Sequence, residues 1–289
     1  LHSFPTRRSS DLHIDTGSGH HGVALARTAE RLGLRCTVFI AERDALAHAS
    51  LVAAMRASQA DLRIVRARDG GLHEAKSAAL QHWMSAGADH FYVAGTPAGP
   101  HPYPLIVRHF QAVIGEEVRA QACGTLGKVP DALIAPAGGG GTALGLFAAF
   151  IDDTAVRLIA VEGGGTSTET SAHAARLAFG RTGVLHGAKT RVLQDDDGQI
   201  LAAHSVAAGL RYPGIAPELA WLHRQRRLEG WIVRDHQARQ AQELLAREEG
   251  FAPSMEASHA AAAAMQIGRL LPATATIVIP VTSLAGAVE

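Results

Sequence analysis

The strongest local constraint on this chain is a run of four consecutive glycines, Gly138, Gly139, Gly140 and Gly141, set between two different periodicities. Residues 131–137 (DALIAPA) form a short apolar run of strand type, and Thr142, Ala143 and Leu144 open a helix-forming stretch. Glycine has no Cβ, so such a turn reaches positive φ and lets another group approach the backbone closely. The first N–H groups of the helix lack intrahelical partners and lie at the positive end of its dipole. The turn therefore reads as an anion cradle suited to a phosphate. It matches neither the Walker A nor the GxGxxG spacing, and a plain structural turn would use the same residues, so its meaning depends on the rest of the chain.

That rest alternates. Strand signals at 35–40, 62–65, 91–94, 131–137, 156–161 and 276–281 are separated by helix signals at 43–58, 72–86 and 104–121 and by a helix after the tetraglycine; further helices are read at 235–249 and 258–270. This rhythm predicts an α/β fold of parallel sheets with flanking helices, built from βαβ crossovers. Pro280 inside the last run favours an edge or a strand end. A long helix followed by the turn at 127–130 puts a domain boundary near 111–131, giving domains 13–111 and 112–289. The first twelve residues, LHSFPTRRSSDL, have no periodicity and are too short for a transit peptide; they are read as a non-native leader.

Composition narrows the partner class. Lys+Arg and Asp+Glu number 27 each, so no net field recruits nucleic acid or an anionic membrane, and a small-molecule ligand is expected. Cys36 and Cys123 stand apart, which suits the reducing cytoplasm and excludes both a disulfide framework and a CxxC zinc site. No apolar run approaches the ~20 residues needed to span a bilayer. His20 and His21 are adjacent and diverge, while His101, His186 and His259 fall in separate stretches without i,i+4 spacing, so no transition metal is expected.

Longer motifs carry a family resemblance. Residues 95–104 (GTPAGPHPYP), 107–117 (VRHFQAVIGEE), 15–24 (DTGSGHHGVA), the tetraglycine, 186–189 (HGAK), 193–200 (LQDDDGQI), 205–217 and 253–259 (PSMEASH) occur in order. Together they closely resemble the β subunit of tryptophan synthase, across essentially all of 13–289. The resemblance implies a two-domain fold type II pyridoxal 5'-phosphate (PLP) enzyme. Such enzymes replace the hydroxyl of L-serine with indole to give L-tryptophan, as a β homodimer with an α-subunit partner. It assigns the cofactor phosphate to Gly138, Gly139, Gly140, Gly141 and Thr142, with Glu256 over the cofactor ring and Ser283 facing the pyridine nitrogen. Thr16, Gly17, Ser18, Gly19, His20 and His21 would take the substrate carboxylate in a second anion nest. A sodium or potassium ion would lie on the carbonyls of Gly138, Tyr212 and Gly214.

Departures from the family pattern are as informative. Asp15 holds the position of the family's catalytic glutamate, a general acid/base, with a side chain one methylene shorter. Arg211 and Ala47 replace an aspartate–arginine pair made on closure, and Leu284, Ala285, Gly286, Ala287 and Val288 replace a charged Gly-Arg-Gly-Asp turn. The cofactor-bearing lysine of a His-Lys-x-Asn motif is absent; Lys76, Lys128 and Lys189, the only lysines, lie outside any such motif and are read as surface residues. By itself the chain is therefore expected to be inactive. Two other readings share these residues: a serine or threonine deaminase-like lyase of the same fold type, and a non-catalytic β-like partner subunit.

Overall fold

The computed structural model describes residues 11–66, 71–168 and 172–284. They form two compact units that divide between Gly95 and Thr96. Of the expected leader, 1–10 lie outside the described residues, whereas Asp11 and Leu12 open the first strand and pair with Arg35 and Cys36.

The first unit contains β1 (Asp11–Thr16), α1 (His20–Leu32), β2 (Arg35–Ala41), α2 (Glu42–Ala47), α3 (Ala49–Ala57), β3 (Asp61–Val65), α4 (Leu72–Ser85) and β4 (His90–Tyr92). Its strands are all parallel, in the order β3-β2-β1-β4. Alternate residues Cys36, Val38 and Ile40 of β2 join Ile14, Val23, Leu51 and Met55 in one core, the period-2 pattern of a strand covered by helices. Gly33 ends α1 in the left-handed region, φ 66°, with its N–H on the last carbonyls of the helix. The helix expected over 43–58 is two helices broken at His48, a break that no side chain in this alanine-rich stretch marks. Because β1 is central, Asp15 and Thr16 at its carboxyl end lie where open α/β sheets generally take their ligands.

The second unit contains α5 (Tyr103–Gln111), α6 (Val113–Leu126), β5 (Ala132–Pro136), α7 (Gly141–Phe147), β6 (Arg157–Gly163), α8 (Arg176–Phe179), β7 (Arg181–Leu185), β8 (Ala188–Val192), α9 (Pro217–Arg224), β9 (Leu228–Val233), α10 (Asp235–Glu248), α11 (Met255–Gly268) and β10 (Ile277–Val278). Its parallel sheet has the order β10-β5-β6-β9, with β7 and β8 as a separate antiparallel hairpin. Leu133, Ala135 and Leu158 face a core shared with Leu144, Phe147 and Leu219, while Ile134, Ile159 and Val161 face α10 and α11. Burial on both faces is why β5 and β6 read as continuous apolar runs.

Several expectations shift. The helix expected over 104–121 breaks at Ala112 into α5 and α6. Both pack on α7, so 96–111 belong to the second unit, where the sequence reading had placed them in the first. The crossing is close enough to require glycine: a Cβ on Gly115 would lie 2.4 Å from Leu146 O, and one on Gly145 2.6 Å from Gln111 O. The last strand is only Ile277–Val278, at the sheet edge, with Pro280 beyond it. Strand β9 escaped sequence reading because Glu229 and Gly230 interrupt its apolar run.

Candidate functional site

In the second unit the tetraglycine joins β5 to α7 at a strand-to-helix turn. Gly140 caps the helix with φ 103°, a conformation that excludes most side chains. Two neighbours need glycine for a different reason. A Cβ on Gly138 would stand 1.8 Å from Gly209 O, and one on Gly139 2.7 Å from Thr96 Cβ. The turn is thus wedged against protein on one side, with Gly138, Gly139 and Gly140 buried. Gly141 and Thr142 remain half-buried, at the end where the first-turn N–H groups lack intrahelical partners.

The contact with Gly209 links this turn to other residues singled out from sequence. Gly209 belongs to a 3₁₀ turn, Ala208–Leu210, and its N–H donates to Glu256 Oε1 at 2.7 Å. Glu256 lies in the first turn of α11, where the helix dipole favours a carboxylate by ~0.3–1 kcal/mol. The hydroxyl of Ser254 caps that helix, and its N–H donates to Ser283 O at 2.9 Å, beside the bridge between Pro253 and Leu284. Gly138, Glu256 and Ser283 are therefore joined by one short chain of contacts through Gly209 and Ser254.

Sequence reasoning missed the group beneath this arrangement. Arg176 and Glu162 are fully buried and paired at 3.1 Å. Arg176 Nη1 donates to Leu210 O at 2.8 Å and to Tyr212 O at 2.9 Å, and Nη2 donates to Ala137 O in a short contact. Glu162 also accepts the N–H groups of Arg176 and Leu177. Burial pushes the Glu162 carboxyl up, and the guanidinium and the two N–H donors pull it back. The Tyr212 carbonyl, expected to take a sodium or potassium ion, is thus occupied by a side chain. The available signal was a lone arginine inside the apolar stretch AARLAF.

In the first unit, Asp15 and Thr16 end β1 and a short loop leads into α1, capped by Gly19 at φ 106°. Thr16 Oγ1 accepts the Gly22 N–H at 3.4 Å. His20 and His21 supply the first two residues of the helix, and the His21 ring packs against Gly95, where a Cβ would lie 2.3 Å away. Asp15 is buried and its Oδ1 accepts a short hydrogen bond from the Tyr92 hydroxyl, itself 2% exposed. His21 keeps an exposed edge in the first turn of α1; the protein packed around the rest of the ring lowers its pKa, with the Asp15 charge opposing.

Lys76, read from sequence as a surface residue, is 4% exposed on the buried face of α4. Desolvation lowers its pKa and the nearby Asp15 charge opposes. Lys128 pairs with Asp131 at the surface and Lys189 is exposed, as expected. Tyr92 thus fixes the Asp15 carboxyl, with His21 and Lys76 within reach of its charge, an arrangement suited to a proton-transferring carboxyl. A cavity of about 660 Å³ lies at the opposite, amino end of these strands, lined by Asp11, His13, Arg35, Asp61 and His82. Among the described residues no group of three or more His, Cys, Asp or Glu could hold a metal ion, and no helix is long and apolar enough to cross a membrane.

Comparison with known proteins agrees with this architecture. The chain is similar in fold to the crystal structure of a fungal L-serine ammonia-lyase from Rhizomucor miehei, with a TM-score of 0.69 at 18% identity, covering 97% of this chain and 79% of that one. The family profile described as pyridoxal-phosphate dependent enzyme matches residues 6–283, nearly the whole sequence, and the chain belongs to that family.

Proposed function

We propose that this chain binds pyridoxal phosphate at the tetraglycine turn and acts as a lyase that expels the β-hydroxyl of L-serine, with indole as the incoming nucleophile. The carrying observation is the contact chain from Gly138 through Gly209 and Glu256 to Ser254 and Ser283, which gathers residues scattered over the sequence. The donor set fits a phosphate monoester: backbone N–H groups at a helix start, the Thr142 hydroxyl, and a half-buried mouth at Gly141 and Thr142. When bound, pyridoxal phosphate supplies an electron sink for charge at the amino-acid α-carbon.

The chain's own residues divide the remaining work. Gly138, Gly139, Gly140, Gly141 and Thr142 would hold the phosphate, with Ser283 and Glu256 available to the rest of the cofactor. The loop from Thr16 to His21 takes the substrate carboxylate through its N–H groups. Asp15, as the carboxylic acid protonated on Oδ2, would deliver that proton to the departing hydroxyl and be left as the carboxylate, its Oδ1 oriented by the Tyr92 hydroxyl. Indole is favoured by the GPHPYP and VIGEE stretches; a β homodimer and an α-subunit partner go with that reading. Deamination of serine is the second reading, favoured by the likeness to the serine ammonia-lyase.

The test has two steps. Pyridoxal phosphate titrated into the chain is expected to bind reversibly, to be displaced by inorganic phosphate, and to leave no borohydride-stable adduct, because the His-Lys-x-Asn lysine is not in this sequence. Joined to a segment carrying that motif, the protein is expected to convert serine and indole to tryptophan. Pyruvate and ammonia without tryptophan would move the assignment to deamination, and absence of phosphate-competed binding would remove it.

A further inference from the structure

Three main-chain carbonyls from two separate stretches of the second unit converge on one buried side chain. Arg176 takes Ala137 O, 39 residues upstream, and Leu210 O and Tyr212 O, 34 and 36 residues downstream. Converging carbonyls concentrate negative potential, and a monovalent or divalent hard cation is the usual way to balance it. Here the positive charge is part of the chain, and a guanidinium stays protonated in any folded protein. Its Nε is held by Glu162 Oε1 at 3.1 Å, so four of its N–H groups are directed by the fold. The carboxylate also accepts the Arg176 N–H at 2.8 Å and the Leu177 N–H at 2.9 Å, fixing the backbone that carries the cation.

Two of the carbonyls held this way, those of Ala137 and Leu210, adjoin the tetraglycine turn. Ala137 immediately precedes Gly138, and Leu210 immediately follows Gly209, whose carbonyl packs on Gly138 and whose N–H reaches Glu256. We propose that Arg176 is a built-in cation that replaces a bound sodium or potassium ion at this turn, so that the chain holds its phosphate ligand with no monovalent-cation requirement. For the identity of that ligand the inference rests on the function proposed above. Its geometric part, a guanidinium seated on three carbonyls, does not.

The experiment compares salts of equal ionic strength: sodium, potassium and tetramethylammonium chloride, the last too bulky for a carbonyl site. For the unaltered chain the melting temperature is expected to be the same in all three. Pyridoxal phosphate affinity, read by tryptophan fluorescence, should differ by less than about twofold, the scale of general ionic screening. Arg176→Ala is expected to weaken that affinity roughly tenfold or more through loss of charge-assisted hydrogen bonds. Millimolar guanidinium should restore most of the loss, potassium part of it and tetramethylammonium none.

A several-fold gain in affinity, or a higher melting temperature, when the unaltered chain meets sodium or potassium would overturn the proposal. So would a folded Arg176→Ala chain that no small cation rescues. If Arg176→Ala fails to fold, the salt series on the unaltered chain decides alone. If pyridoxal phosphate binds in no salt, the proposed function fails, while the melting temperatures still judge the role of Arg176.

Discussion

Two strand-to-glycine-to-helix turns, one in each unit, follow the same local pattern. After β1 the turn caps α1 with Gly19 at φ 106°; after β5 the turn caps α7 with Gly140 at φ 103°. Their surroundings differ. The first is adjoined by the Asp15 carboxyl, held by the Tyr92 hydroxyl, and its charge acts on His21 and Lys76. The second is shaped by backbone, wedged against Gly209 and Thr96, and its charge lies underneath in the Arg176–Glu162 pair. A turn that holds a constant anion is well served by fixed donors that never change protonation. A turn that serves proton transfer needs groups whose protonation can change.

The contrast is most directly broken at the buried pair. Glu162→Ala leaves the Arg176 guanidinium buried without its counter-charge, and urea unfolding should show a loss of about 3–5 kcal/mol. A loss below about 1 kcal/mol, the scale of a surface pair, would show that the second turn does not depend on that charge.

Next in size is glycine itself. Gly138→Ala must displace Gly209 O from 1.8 Å and is expected to cost about 3 kcal/mol and, on the function proposed above, to abolish phosphate binding. Gly33→Ala, at φ 66° with nothing within 4 Å, should cost only the backbone strain, about 1 kcal/mol. Equal costs would mean that the wedge contributes nothing.

In the first unit Tyr92→Phe removes the donor to Asp15 and should cost about 2 kcal/mol, as for a hydrogen bond to a charged acceptor. Combined with Asp15→Asn, the two losses should fall short of additive, because they remove one interaction.

The smallest effect is electrostatic. His21 has a lowered pKa in the folded chain, so the unfolded chain binds the proton first as pH falls through its value near 6.5. The stability contributed by neutral His21 is therefore present above about pH 6.5 and is lost as pH falls toward the folded value. Asp15→Asn removes the opposing charge, and ring-resonance NMR should show the His21 titration moving to lower pH. Movement to higher pH would place Asp15 outside the cluster.

Much of the fold was legible because its signals are local. The apolar runs at 35–40 and 156–161 became β2 and β6, and the tetraglycine fell at a strand-to-helix turn, since alternation and the missing Cβ act within a few residues. Where signals were local but weak, boundaries moved: the alanine-rich stretch around His48 does not mark its break, and no glycine or proline marks the one at Ala112. Lys76 misled because a lysine reads as surface unless a buried carboxylate is known to be near, and Asp15 lies on another element, packed against α4.

The sequence by itself determined the alternation of parallel strands and helices, the glycine turns and the residue types of the candidate site. Only the tertiary structure decided that Gly138 must be glycine because Gly209 presses on it, that Tyr92 holds Asp15, and that the cation on the Tyr212 carbonyl is Arg176. The reason is one of range. Helix and strand periodicity, capping and φ preference are written in neighbouring residues. Convergence of Ala137, Leu210 and Tyr212 on one guanidinium exists only after the sheet has brought distant segments together, and no spacing along the chain encodes it.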